Sequence, residues 1–184
     1  MRVIAGKYRS RRLAAPEGME TRPTSDRLRE TLFNVVASRV AGSVWLDLFA
    51  GSGAVGIEAL SRGAEMVYFV ESARRAAQTI CKNLESLGME EGFEVIEREV
   101  AVALRMLDAQ AVVCDFCFLD PPYRRMEDYE QVLGFLSQSR LLTPESVVIA
   151  EHDKHFDPGE LFGALRRHRT LRQGDAVLSF YGLE

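Results

Sequence analysis

The sequence predicts an α/β protein: one mostly parallel, seven-stranded sheet with helices on both faces and an antiparallel final strand. Three observations predict it. From Val44 onward, short apolar runs alternate with stretches of helical periodicity, the pattern of strands joined by crossover helices. A glycine-rich turn, Gly51-Ser52-Gly53-Ala54-Val55-Gly56, joins the first apolar run to a helical stretch. A later apolar run stops abruptly at Asp120-Pro121-Pro122-Tyr123, where two prolines forbid continuation of the strand.

In chain order, residues Arg2 to Arg22 mix short β-like pieces with Gly6, Pro16 and Gly18, which reads as an extended or hairpin-like extension over residues 1–24. Thr24 or Ser25 offers an N-cap, Asp26 favours a first helical turn, and Leu28, Leu32, Val35 and Val36 recur at helical spacing to about Arg39. Strands are expected at Val44–Leu48, Met66–Val70 and Phe93–Glu97, and helices at Ile57–Arg62, Ala73–Leu87 and Ala101–Leu107. Ala111–Val113 and Phe116–Leu119 read as one strand buried on both faces. A helix at Tyr129–Ser137, a fifth strand at Val147–Glu151 and a helix at Pro158–Leu165 follow. His168–Leu171 and Ala176–Phe180, joined by Gln173-Gly174-Asp175, close the sheet as an antiparallel pair.

A chain of 184 residues, 47% hydrophobic, is long enough to bury a full core as one domain, here the extension plus an α/β core over residues 25–184. No apolar run approaches the roughly 20 residues that span a bilayer. Three cysteines make a poor disulfide framework and fit a reducing cytoplasm. Cys114 and Cys117 have C-x-x-C spacing, but positions i and i+3 of a strand face opposite sides and no second ligand cluster accompanies them, so they read as core thiols and no metal is expected. His152 and His155 read as exposed loop histidines. Residues 1–29 hold eight basic groups against three acidic ones, a net of +5, so the rest of a chain of net charge −4 carries −9. A basic arm on an acidic body points to a polyanion gripped at one place.

The two turns carry the chemistry. Glycines between strand and helix let a ligand approach the backbone, and the helix start offers free N–H groups. Gly51, Gly53 and Gly56 satisfy G-x-G-x-x-G, and Glu71, 20 residues after Gly51, is placed to accept ribose hydroxyls. That pattern equally suits a nicotinamide or flavin dinucleotide; Asp47, an acid at the strand end, favours a nucleoside with a cationic group. At the second turn the Asp120 carboxylate and the Pro121 carbonyl, held rigid by Pro121 and Pro122, can accept both N–H bonds of an NH₂ group while Tyr123 stacks on a flat ring.

Together these motifs resemble the Rossmann-like class I S-adenosylmethionine-dependent methyltransferases, in the branch that methylates exocyclic amines of bases. The segments Arg2–Gly6, Arg22–Asn34, Asp47–Gly53 and Glu58–Ala64 are similar to the bacterial RsmD family of small-subunit ribosomal RNA guanine-N2 methyltransferases, a resemblance running from Arg2 to about Tyr181. It implies that Asp47, Gly51, Ser52 and Gly53 hold the methionine part of S-adenosylmethionine, Glu71 the ribose, and Asp120 to Tyr123 the target guanine, with Phe49 also against the cofactor. The adenine pocket departs from the family: Arg98-Glu99-Val100 stands where Gly-Asp-Ala is usual, leaving Glu99 as the candidate contact. The resemblance further implies 16S ribosomal RNA in the small ribosomal subunit as partner, guanosine at position 966 as target, a cytoplasmic monomer, and RNA contacts from Arg2, Lys7, Arg9, Arg11, Arg12, Arg22, Arg27, Arg29 and Asn34. Adenine-N6 methylation of DNA is an alternative, opposed by the lack of a separate target-recognition domain; a non-catalytic RNA-binding ribosome-assembly factor is another, opposed by intact Asp120 and Tyr123. A dinucleotide oxidoreductase is the remaining one.

Overall fold

Five apolar stretches pair in parallel, and their order fixes the place of the site. In the computed structural model, which describes residues 1–16, 25–122 and 125–184, β1 (Val44–Leu48) lies between β2 (Met66–Val70) and β4 (Phe116–Leu119). β3 (Phe93–Ile96) extends the sheet beyond β2, and β5 (Val147–Asp153) beyond β4. The chain then reverses: β8 (Ala176–Leu183) pairs antiparallel with β5, and β7 (Leu165–Gln173) with β8. All seven expected strands are present, and a two-residue strand, β6 (Leu161–Phe162), adds an eighth at the edge in the order β3-β2-β1-β4-β5-β8-β7-β6. The order turns back between β1 and β4, the switch point outside whose carboxyl ends ligands bind in open α/β sheets.

Both faces are covered because the central strands are apolar on both. Trp45 of β1 packs between Phe33 and Phe116, with ring centroids at 5.2 and 4.5 Å, in a core shared with α1 (Asp26–Val36), α2 (Ala54–Ser61) and α3 (Arg74–Ser86). Leu46 and Leu48 point the other way, into a core built with α4 (Val100–Ala109) and α5 (Glu127–Leu136). Each such large side chain, fully buried, stabilises the fold by roughly 1.5–3 kcal/mol. Among the described residues no helix is long and apolar enough to cross a membrane.

Four expectations fail, each for a physical reason. Residues 158–165 are not helical, because Gly159 (φ +118°) and Gly163 (φ +57°) sit in conformations a helix cannot contain. Ala111–Val113 is not strand: Ala111 adopts φ +55°, and the bonds Ala111 N–H to Asp108 and Val112 N–H to Leu107 form a Schellman stop on α4. α2 and α3 end the same way on Gly63 and Gly88, where glycine makes the stop legible. Cys114 therefore precedes β4, and Cys114 and Cys117 share one core rather than facing opposite sides; burial pushes the Cys114 thiol up to about 12. His152, expected to be exposed, lies buried on β5 with its Nε2 2.9 Å from Ser179 Oγ; of the two expected loop histidines, His155 alone is exposed.

The amino-terminal extension folds back on itself as a hairpin-like arm. Val3 donates to the Arg11 carbonyl and Ser10 to that of Val3, both at 2.9 Å, with Arg2 opposite Arg12. Val3 and Leu13 are buried in the α1–α3 core, so the arm is part of the fold. Gly6 sits against α2 so closely that a Cβ would lie 1.8 Å from the Ser61 carbonyl oxygen, and its φ is +81°. Gly6→Ala is expected to undock the arm, which limited trypsin digestion reads as faster cleavage at Lys7, Arg9, Arg11 and Arg12 than in the wild type; an unchanged digestion rate would mean that this close approach does not hold the arm.

Candidate active site

The two turns singled out in the sequence meet at one rim of the sheet. Leu48 pairs with Leu119, so Phe49 and Asp120 leave the sheet side by side on adjacent strands roughly 5 Å apart. β5 adds a third acid: Ala150 pairs with Leu119, which puts Glu151 beside Asp120. Desolvation, then the charges of Glu151 and Asp47, hold the Asp120 carboxyl well above the usual carboxylate range. Among the described residues nothing hydrogen-bonds to the Asp120 carboxylate.

The glycine turn divides its labour among its members. At Gly51 (φ +57°) an added Cβ would meet only the Phe49 carbonyl oxygen, at 3.9 Å, so this backbone faces open space where a ligand can approach. Gly53 caps α2 at φ +75°, and its N–H donates to the Ala50 carbonyl at 2.7 Å. Gly56 is needed for packing, since a Cβ there would lie 2.3 Å from the Phe69 ring. Asp47 is buried, and its Oδ2 accepts the Gly56 N–H at 2.9 Å, tying β1 to α2. Burial raises the Asp47 carboxyl to about 7, opposed by that hydrogen bond and reinforced by Glu71. Glu71 accepts Gly51 N–H on Oε2 at 2.9 Å and Ala73 N–H on Oε1 at 2.8 Å, so it shapes the turn while each oxygen keeps a lone pair. Ser52 is buried against the arm, its Oγ donating to Met1 Sδ at 3.3 Å.

Phe49, at φ +60°, is a non-glycine residue in the left-handed region, a conformation that clusters at functional sites. It lines a cavity of about 230 Å³ with Glu99, Val100, Leu104, Arg125 and Phe135. Glu99 is exposed and lies 3.5 Å from Arg125, which also pairs with Asp128 at 2.8 Å, so the loop after β3 is linked to the segment after β4. Pro121 is buried and Pro122 exposed, the Pro122 carbonyl accepting Arg125 N–H at 2.8 Å. Tyr123 lies outside the described residues, as does Arg22.

Of the residues expected to touch RNA, Arg2, Lys7, Arg9, Arg11, Arg12, Arg27 and Asn34 are exposed. Arg29 is not, contrary to the expected phosphate contact: it is fully buried, donating to the Arg2 carbonyl and, at 3.0 Å, to Asp26. It lies on the apolar side of α1 under the arm, with Nε 3.9 Å from Glu58. Desolvation lowers its pKa, opposed by Asp26 and Glu58. Glu58, also fully buried, accepts the N–H groups of Ile4 (2.7 Å) and Ala5 (2.9 Å) and Arg62 Nε (2.7 Å). Sequence reasoning assigned no role to Glu58, Asn83 or Glu151. Only a lone acid within the apolar start of α2 could have signalled the first. Among the described residues no cluster of three or more His, Cys, Asp or Glu could hold a metal ion.

Comparison with known proteins places this geometry in context. The family described as Conserved hypothetical protein 95 matches residues 1–182. Bacillus subtilis YlbH is 35% identical over 181 residues, 98% of each chain. Escherichia coli Ribosomal RNA small subunit methyltransferase D is 36% identical over 153 residues, 83% of this chain and 75% of that protein. The solved structure of Escherichia coli yhhF superposes with a TM-score of 0.86 at 31% identity, covering 100% of this chain and 98% of that one.

Proposed function

From the premise that this chain belongs to the RsmD family, described as Conserved hypothetical protein 95, we propose that it is an S-adenosylmethionine-dependent methyltransferase acting on the exocyclic N2 of a guanine in 16S ribosomal RNA. The target is the guanosine at position 966, presented on the small ribosomal subunit. One observation carries the reading: the in-register pairing of β1 with β4, which brings the glycine turn and Asp120 to the same rim at the switch point of the sheet.

The residues present fit the cofactor. Gly51 leaves open space beside the backbone, Glu71 keeps lone pairs for ribose hydroxyls, and the acids gathered at this rim, which raise Asp47 and Asp120 above the usual carboxylate range, suit a cationic ligand. Glu99, with Phe49 on the same cavity, is the candidate partner of the adenine. S-adenosylmethionine, when bound, supplies an electrophilic methyl group on a positively charged sulfur. Asp120 and the Pro121 carbonyl accept the two N–H bonds of the guanine amine, which turns its lone pair out of conjugation and toward the glycine turn. As the amine gains positive charge, the adjacent carboxylate stabilises it, and a carboxyl held above its usual range by burial and neighbouring acids is the better proton acceptor. Tyr123 stacks on the base, which must first be unstacked from the RNA. The exposed arginines of the arm grip phosphates and position the substrate without reading its sequence.

The raised carboxyls set a pH dependence with a definite sign. A cationic ligand favours the ionised form of Asp47, whose carboxyl is raised to about 7, so binding releases protons and affinity for S-adenosylmethionine rises with pH from 6 to 8; Asp120, raised in the same direction, acts with the same sign. S-adenosylhomocysteine, which lacks the sulfonium charge, responds less steeply. Calorimetric titration at several pH values checks this; equal slopes for the two ligands would contradict a role for the carboxylates in meeting the charge. The reaction itself is tested by transfer of tritiated methyl to RNA and DNA in parallel: label in small-subunit RNA alone is expected, and label in DNA adenine would replace this reading with the alternative one.

A further inference from the structure

We infer that Asn83 is a positioning residue through which the folded arm holds the glycine turn in shape, an inference that rests on that turn being the seat of the cofactor. Asn83 lies on α3 and is buried, 2% exposed. Its amide makes two bonds to one residue of the arm: Oδ1 accepts Ala14 N–H at 2.8 Å and Nδ2 donates to the Ala14 carbonyl at 3.1 Å. The other bond of Nδ2 goes to the Ser52 carbonyl at 2.9 Å. The paired bonds to Ala14 lock the amide plane, and the locked plane aims the remaining N–H at Ser52. The Ser52 carbonyl belongs to the peptide that enters Gly53, the left-handed cap of α2, so its direction helps set where the next N–H groups point. Glu71 fixes the other side of the turn through Gly51 N–H. The turn is thus held between an acid from β2 and an amide whose orientation depends on the arm. Met1 Sδ, accepting from Ser52 Oγ, is a second contact from the arm to the same residue.

The chemistry of the amide supplies the test. In Asn83→Asp the carboxylate keeps the acceptor for Ala14 N–H but presents oxygen to the carbonyls of Ala14 and Ser52; on protonation it can donate to Ser52 again. At pH 8, Asn83→Ala and Asn83→Asp are each expected to weaken S-adenosylmethionine binding and raise its KM by about tenfold, the scale of a lost buried hydrogen bond, with kcat and the KM for small ribosomal subunits unchanged. Burial and the facing carbonyls of Ala14 and Ser52 favour the protonated form of an introduced carboxyl, so at pH 6 the Asn83→Asp penalty relative to wild type at the same pH should shrink to within about threefold, while that of Asn83→Ala stays constant. Taking the ratio to wild type removes the titration of Asp47 and Asp120 from the comparison. Binding within twofold of wild type for both variants at pH 8, a penalty for Asn83→Asp that does not change with pH, or a fall in kcat with KM unchanged would each overturn the inference. Wild-type protein that binds no S-adenosylmethionine would overturn the cofactor reading and this inference together, an outcome distinct from a wild type that binds and variants that bind as well as it does.

Discussion

Asp120→Ala should lower the rate of methyl transfer by about 10²- to 10³-fold, the range seen when one preorganised group is removed from a developing charge, while S-adenosylmethionine still binds. Asp120 follows Leu119, which pairs with Leu48 at the mouth of the glycine turn, so it stands at the rim where an amine would meet the methyl donor. Asp120→Asn separates two contributions. It keeps one acceptor for an N–H bond but cannot carry the charge or take the proton, so its single-turnover rate should lie near that of the alanine variant if charge dominates and between alanine and wild type if positioning does. Single-turnover kinetics with saturating S-adenosylmethionine and small ribosomal subunits measure this directly. Near-normal transfer by Asp120→Ala with the cofactor bound would remove Asp120 from the mechanism.

The second large effect is on stability. Glu58→Ala leaves Arg29 buried without its deep counter-charge and the amides of Ile4 and Ala5 without an acceptor. Breaking one side of a buried ion pair costs about 3–5 kcal/mol. For a domain of this size that corresponds to a fall in Tm of roughly 10 °C in scanning calorimetry. The paired variant Glu58→Gln with Arg29→Met, which removes both charges at once, should lose less than Glu58→Ala alone, because the cost lies mainly in the stranded charge. A change in Tm below about 2 °C for Glu58→Ala would mean that water reaches this network and that the arm is held by Val3 and Leu13.

What was legible in the sequence follows from how local the signal was. The glycine turn and the Asp-Pro-Pro-Tyr turn could be read because glycine and proline act on their own backbone, and the strands before them because they are apolar on both faces. The same logic marks where sequence misleads: α4 stops on Ala111 where a glycine would have marked the end, and the apolar run that follows looks like strand. Residues 158–165 carry both apolar residues and glycines, and the glycine conformations decided. Long-range placement was not legible. Arg29 looks like its basic neighbours until the arm folds over it, and Glu151 joins Asp120 only through the register of β4 with β5. Asn83 reads as one polar residue on an amphipathic helix, and its partners lie 69 and 31 positions away.

The measurement that bears most directly on the central claim is mass spectrometry of 16S ribosomal RNA from a strain lacking this protein, before and after its small subunits are incubated with the purified chain and S-adenosylmethionine. The account predicts that a single N2-methylguanosine, at position 966, is missing beforehand and restored afterwards. Restoration of a methyl group on adenine, on another atom of guanine, or on no nucleotide at all would contradict it.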